Sequence, residues 1–177
     1  MKKLFLVFVA LCLFGCSSIP LSTMLKYRNF DEQSFTALNP SQIRSKVKVS
    51  KPFTLNMEKM NLSLSLENEK GISHFTFPLI LEKQGRIDAQ EGFILSEPAK
   101  TEYTFRLSEL AVNNFLKTQN LLSQEVQQKI SFSIGAGFNE KPQERQTVHI
   151  SISLQLDDKE GYFTLIDEAE VELGQDG

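Results

Sequence analysis

Residues 148–156 read Val-His-Ile-Ser-Ile-Ser-Leu-Gln-Leu, with apolar side chains at every second position and polar ones between them. A period of two places successive side chains on opposite faces of a strand, so this segment is a half-buried β-strand and not an amphipathic helix. The same pattern recurs along the chain. Val47 and Val49 alternate with Lys46, Lys48 and Ser50, and Phe53, Leu55 and Met57 continue after Pro52. Leu62, Leu64 and Leu66 alternate with Asn61, Ser63, Ser65 and Glu67; Phe75, Phe77, Leu79 and Leu81 repeat the pattern, and Pro78 among them points to an edge or a bulge. Tyr103, Phe105 and Leu107 follow, then Ile130, Phe132 and Ile134. Phe163 and Leu165 begin a last strand that Ala169, Val171 and Leu173 end. One dry and one wet face per strand is the signature of antiparallel sheet.

Turn residues separate these runs. Asn68-Glu69-Lys70-Gly71 and Asp157-Asp158-Lys159-Glu160-Gly161 read as hairpin connections, and Gln84-Gly85 as a further turn. Asn39-Pro40 supplies a cap and a first-turn proline for one helical turn over residues 39–44. One longer helix interrupts the strands. Ser108 caps it, and Leu110, Val112, Phe115, Leu116 and Leu122 give it an apolar side over residues 109–124, broken at Lys117-Thr118-Gln119-Asn120 as two short helices would be. The expected fold is mainly β: an antiparallel two-layer β-sandwich, immunoglobulin- or transthyretin-like in outline, with one helical crossover around residues 108–124. A β-barrel enclosing an apolar ligand is the rival architecture.

The N-terminus is a different kind of segment. Met1-Lys2-Lys3 precede an apolar run from Leu4 to Phe14. That run has about a dozen residues, where a membrane span needs about 20. A cationic start, a short apolar core and the small Gly15 describe a secretory signal peptide. Leu13-Phe14-Gly15-Cys16 resembles the lipobox of bacterial lipoproteins, and over residues 1–17 the chain resembles the small proteobacterial lipoproteins. The resemblance implies cleavage between Gly15 and Cys16 and lipidation of Cys16. With Ser17 rather than Asp after the cysteine, it also implies a place at the outer membrane of a Gram-negative cell, the body facing the periplasm. Residues 1–15 are then the signal peptide, 16–44 a lipidated membrane-proximal segment and 45–177 a β-rich periplasmic domain. Tyr27, Phe30 and Phe35 are too many aromatics for a purely flexible tether, so part of the membrane-proximal segment is expected to pack on the body.

Cys12 would leave with the signal peptide and Cys16 would carry lipid, so the mature body contains no thiol. A disulfide, a cysteine-based zinc site and a cysteine nucleophile are excluded, and the apolar core must hold the domain together. The formal net charge of −3 becomes more negative once Lys2 and Lys3 leave, which argues against nucleic acid as a partner. Basic residues gather before residue 60 (Arg44, Lys46, Lys48, Lys51 and Lys59 among them) and acidic ones from Asp157 onward, as solvated strand faces and a tail would place them.

Motifs that carry chemistry are scarce. The two histidines, His74 and His149, each fall on the polar side of a strand. The chain has no Gly-x-Ser-x-Gly elbow, phosphate loop or dinucleotide fingerprint, and Gly135-Ala136-Gly137 fits a bulge or tight turn. Asp157, Asp158, Glu160, Asp167, Glu168 and Glu170 concentrate hard oxygen ligands of the kind calcium takes, without EF-hand spacing. The reading therefore assigns no catalytic, cofactor-binding or metal-binding residue, and only Cys16 as a lipidation site. The uncharged strand faces (Asn61, Ser63, Ser65; Ser131, Ser133; Ser151, Ser153, Gln155) suit solvent or another protein's sheet edge. The expected function is that of a non-enzymatic, outer-membrane-anchored binding or assembly module. Its acyl chains on Cys16 would engage the membrane, and its partner would be an envelope protein. The alternative is a lipid or lipopolysaccharide carrier with an apolar cavity.

Overall fold

The computed structural model describes residues 30–69, 71–90, 97–122 and 129–174, so the signal-like segment and Cys16 lie outside the described residues. Among these residues seven strands form: β1 (Arg44–Ser50), β2 (Asn61–Asn68), β3 (Gly71–Ile87), β4 (Lys100–Leu107), β5 (Lys129–Gly135), β6 (Gln146–Gln155) and β7 (Phe163–Leu173). Among the described residues two α-helices accompany them, α1 (Glu32–Thr36) and α2 (Glu109–Leu122). The mainly β expectation holds, and every strand pair is antiparallel.

The two-layer sandwich does not hold. All seven strands belong to one sheet, in the order β5-β2-β3-β4-β1-β6-β7, curled into a half-barrel. Alternation fixes one dry face per strand but is silent on how many sheets carry those faces. Here a single sheet bends over its own dry face, so an immunoglobulin- or transthyretin-like arrangement is not needed to bury it.

The longest strand joins the two parts of the curl. The first half of β3 pairs with β2 as far as Asn61↔Pro78, and its second half pairs with β4 from Leu79↔Leu107 onward. Pro78, which has no N–H to donate, falls at this hand-over in an interior strand, not at an edge of the sheet. The next residue recovers the ladder: the Leu79 N–H donates to the Met60 carbonyl at 3.0 Å. Gln84-Gly85, expected as a turn, runs on inside β3, with Gly85 opposite Glu102. Cross-strand pairing with β4 outweighs the weak local turn signal.

The two strongest hairpin signals do join neighbouring strands, β2 to β3 and β6 to β7. The strand β7 carries two register shifts, between Ile150 and Ile152 and between Ile152 and Ser153 of its partner. Each shift adds one residue to β7, and two additions restore the original phase. Phe163 and Val171 can therefore share one parity in the sequence although Ile166 turns inward between them.

The dry face of the sheet and the two helices enclose one apolar core. Val47, Val49, Leu62, Leu64, Phe77, Phe105 and Leu154 are buried in it, as the alternation requires. The segment before β1 also belongs to the core. Phe35 of α1 is fully buried, 5.0 Å from the ring of Phe115 and 6.3 Å from that of Phe132, and Phe30 meets Phe132 edge-on at 5.6 Å. Asp31 caps α1, its carboxylate accepting from the Ser34 N–H at 2.8 Å, and this bond holds its pKa below the usual range. Asn39 caps the predicted single turn, here a 3₁₀ turn over Pro40–Gln42.

Helix α2 is continuous through the stretch where the apolar pattern breaks. Its buried residues are Ala111, Phe115, Thr118, Gln119 and Leu122, whereas Leu110 and Leu116 face outward. Two polar residues take core positions because they meet backbone rather than solvent. The Thr118 hydroxyl donates to the Asn114 carbonyl at 3.0 Å. The Gln119 amide donates to the carbonyls of Phe35 at 2.7 Å and Leu38 at 3.0 Å, fastening the end of α1 to α2. Gln119→Leu keeps the volume but leaves these carbonyls unsatisfied; we expect a loss of about 2 kcal/mol in urea unfolding. A loss below about 0.5 kcal/mol would mean that water replaces the amide without penalty.

Candidate functional site

The wet face of the central strands carries a group of charged side chains. On β1, Arg44, Lys46 and Lys48 point to this side, and Glu102, Thr104 and Arg106 do so on β4. The Lys46 ammonium lies 4.4 Å from the centre of the Tyr162 ring and 4.0 Å from the Glu102 carboxylate. Burial raises the Tyr162 phenol above its ordinary pKa, Arg44 pulls it down, and Glu82 and Glu102 push it further up.

At the end of this face, where β4 leads into α2, an open cleft of 560 Å³ is lined by Ser41, Arg44, Glu82, Arg106, Glu109 and Asn113, among others. Five elements build it. The 3₁₀ turn before β1 brings Ser41, and β1 brings Arg44. Glu82 sits where β3 shifts register between Leu81 and Lys83, a bulge that re-aims its side chain. Arg106 and the start of α2 close the cleft, with Ser108 capping the helix by accepting from the Ala111 N–H at 3.1 Å.

The two arginines of the cleft differ in how they are held. Arg44 is tied down: its Nε donates to Glu82 Oε2 at 2.8 Å and its Nη1 to the carbonyls of Ser41 at 2.8 Å and Ile43 at 3.0 Å. Arg106 stands directly opposite Arg44 in the β1–β4 ladder and, among the described residues, reaches only the Leu107 carbonyl, at 3.4 Å. Among the described residues no carboxylate lies within ion-pair distance of Arg106. Guanidiniums, carboxylates, an amide and a hydroxyl converge here; such a set recognises a polar ligand by hydrogen bonds and charge.

A second polar assembly lies on the same side of the sheet, at the register shift in β7. The Lys100 side chain is 8% exposed, with Nζ 2.9 Å from Glu168 Oε1 and 3.2 Å from Glu97 Oε2. The Ser151 hydroxyl donates to Glu168 Oε1 at 2.6 Å and accepts from the Glu168 N–H at 3.1 Å. Glu168 holds a positive φ of 45°, a conformation non-glycine residues rarely adopt. Burial alone would lower the Lys100 pKa, yet Glu168 and Glu97 raise it above the ordinary lysine value. A lysine so held stays protonated, so the serine beside it gains no base.

The residues singled out from the sequence do not come together. His74 accepts or donates through Nδ1 to the Ser65 hydroxyl at 2.9 Å, but both sit on an exposed sheet face. A serine–histidine pair needs a third group to orient the ring and a cleft to hold substrate. His149 lies on β6, its N–H donating to the Ser50 hydroxyl at 3.0 Å. Of the acidic set, Asp157 accepts from the Lys159 N–H at 2.7 Å, and Glu168 is committed to Lys100 and Ser151. Among the described residues no three His, Cys, Asp or Glu side chains are grouped as a metal ion requires.

Gly135 and Gly137 have a packing role. A Cβ on either would come within 2.6 Å of a neighbouring side chain, Asn61 for Gly135 and Lys59 for Gly137. The residues that follow dock on the loop before β2. The Glu140 carboxylate accepts from both the N–H and the hydroxyl of Thr54, at 2.9 and 2.7 Å; although burial works against it, these bonds hold its pKa below the ordinary range. Lipidation of Cys16 falls outside the described residues.

Fold and cleft together define a mainly β protein whose apolar face is occupied by its own helices and whose polar face carries an open, charge-lined cleft. No protein-family model matches the chain, and neither a curated protein nor a solved structure matches it.

Proposed function

We propose that this chain is a lipid-anchored, non-enzymatic binding or assembly module of a Gram-negative envelope, held at the periplasmic side of the outer membrane through Cys16. The single observation that supports the module over the carrier is the filling of the half-barrel. Phe35, Phe77 and Phe115 pack at ring distances of 5.0 Å, each no more than 1% exposed, in the space that a carried acyl chain would need. The described polar groups favour recognition over catalysis, since the serine beside His74 lies on an open sheet face and the buried lysine is held by two carboxylates.

The carrier reading keeps one observation in its favour: a half-barrel with two helices across its apolar side would expose a lipid-sized groove if those helices moved. Crosslinking in intact cells separates the two, with Cys16→Ala as the control. The module reading expects wild-type protein to fractionate with outer membrane and to recover a stoichiometric envelope protein, both lost in Cys16→Ala. Co-purified lipid without a protein partner would replace it with the carrier. Wild-type protein that remains in the soluble fraction would overturn the anchor.

A further inference from the structure

We infer that the cleft between β1, β3, β4 and the start of α2 is a binding site for the carboxylate of a small zwitterionic ligand, of the kind a short peptide with free ends presents, with Arg106 as its anchor. Arg44 and Arg106 are direct partners in an antiparallel ladder. Like charges placed opposite each other destabilise a sheet unless something compensates them. For Arg44 the compensation is built in, through Glu82 and two carbonyls. For Arg106 the described residues provide one carbonyl at 3.4 Å, and they leave most of a planar five-donor fork unused at the edge of a 560 Å³ cleft. A carboxylate accepts two parallel N–H bonds from such a fork, and the pair is stronger and more directional than a lysine contact.

The remaining lining sets the ligand's other end. Glu82 and Glu109 face the same cleft, so its charges balance and a polyanion would meet repulsion there. A ligand with one carboxylate and one cationic or hydrogen-bond-donating group satisfies both signs, with the Asn113 amide and the Ser41 hydroxyl available to its peptide groups. This inference names a ligand class for the module proposed above. It concerns purified protein alone, so it stands or falls separately from the anchor and the envelope partner.

The test is an NMR titration of the full ¹⁵N-labelled chain in detergent micelles with trialanine, trialanine amide and inorganic phosphate. Trialanine should give saturable shifts at the Arg106 Nε–H and at the amides of residues 107–113. Trialanine amide, which lacks only the carboxylate, should bind about tenfold more weakly or worse. Arg106→Ala should abolish the saturable shifts while the rest of the spectrum keeps its dispersion, and Arg106→Lys should weaken binding without restoring the bidentate contact. If Arg106→Ala fails to fold, the lysine variant and the amide probe decide the matter alone. Equal affinity for trialanine and its amide, or no saturable shift, would overturn the site. Phosphate binding tighter than trialanine would overturn the ligand class.

Discussion

Phe35→Ala should destabilise the protein by about 3–4 kcal/mol, among the largest losses available from a single side chain. The ring is fully buried and touches two different parts of the fold, Phe115 on α2 and Phe132 on β5. Removing it takes away the transfer free energy of a whole aromatic side chain and leaves a cavity between elements that cannot easily close together. The loss has a local consequence as well. The helix α1 is only five residues long, too short to hold itself, so its position depends on Phe35 and on the amide of Gln119. Urea unfolding should show the lower midpoint, and limited proteolysis should cut first within residues 30–43. Phe30→Ala, which removes a half-buried ring where Phe35 is fully buried, should cost clearly less. Equal effects from the two would mean that α1 is held by the segment's length rather than by the Phe35 contact.

Most of the strand content is legible in the sequence because a period of two is a short-range signal. Each run needs only its own residues to announce a dry face, and Leu62, Leu64, Leu66, Val148 and Leu154 are buried as that signal requires. The number of sheets is not carried by any one run. It depends on β3 being long enough to serve β2 with one half and β4 with the other, and Pro78 and Gly85 read locally as interruptions of just that strand. The helix shows the reverse limit. Gln119 reads as a break in the apolar stripe because its partners, the carbonyls of Phe35 and Leu38, lie over 80 residues away in the chain. The cleft was illegible for a similar reason. Arg44, Glu82 and Arg106 each occupy an ordinary polar strand position, and only strand register and a bulge bring them to one place.

The cluster around Lys100 gives the second large effect, and its sign follows from both partners. Burial pushes the Glu168 pKa up, but the Ser151 hydroxyl and the Lys100 ammonium hold it below the ordinary glutamate value. A depressed carboxylate pKa stabilises the fold fully above the unfolded value of about 4.3, and the contribution is lost as pH falls through the folded value. The Lys100 pKa is raised, so its contribution is full below the unfolded value of about 10.4 and is lost as pH rises through the folded value. Glu168→Gln removes one of two carboxylates from an ammonium that is nearly enclosed, and at neutral pH we expect a loss of about 2 kcal/mol. Measured across pH, the gap between wild type and variant should be flat between those two limits and should narrow outside them, as pH falls below the first or rises above the second. Backbone strain can be separated from charge at the same position. Glu168 adopts its positive φ at a cost that glycine avoids, so Glu168→Gly should be more stable than Glu168→Ala by about 1 kcal/mol. Parallel pH profiles for wild type and Glu168→Gln would show that the carboxylate acts as a hydrogen-bond acceptor for Ser151 and not as the counter-charge of Lys100.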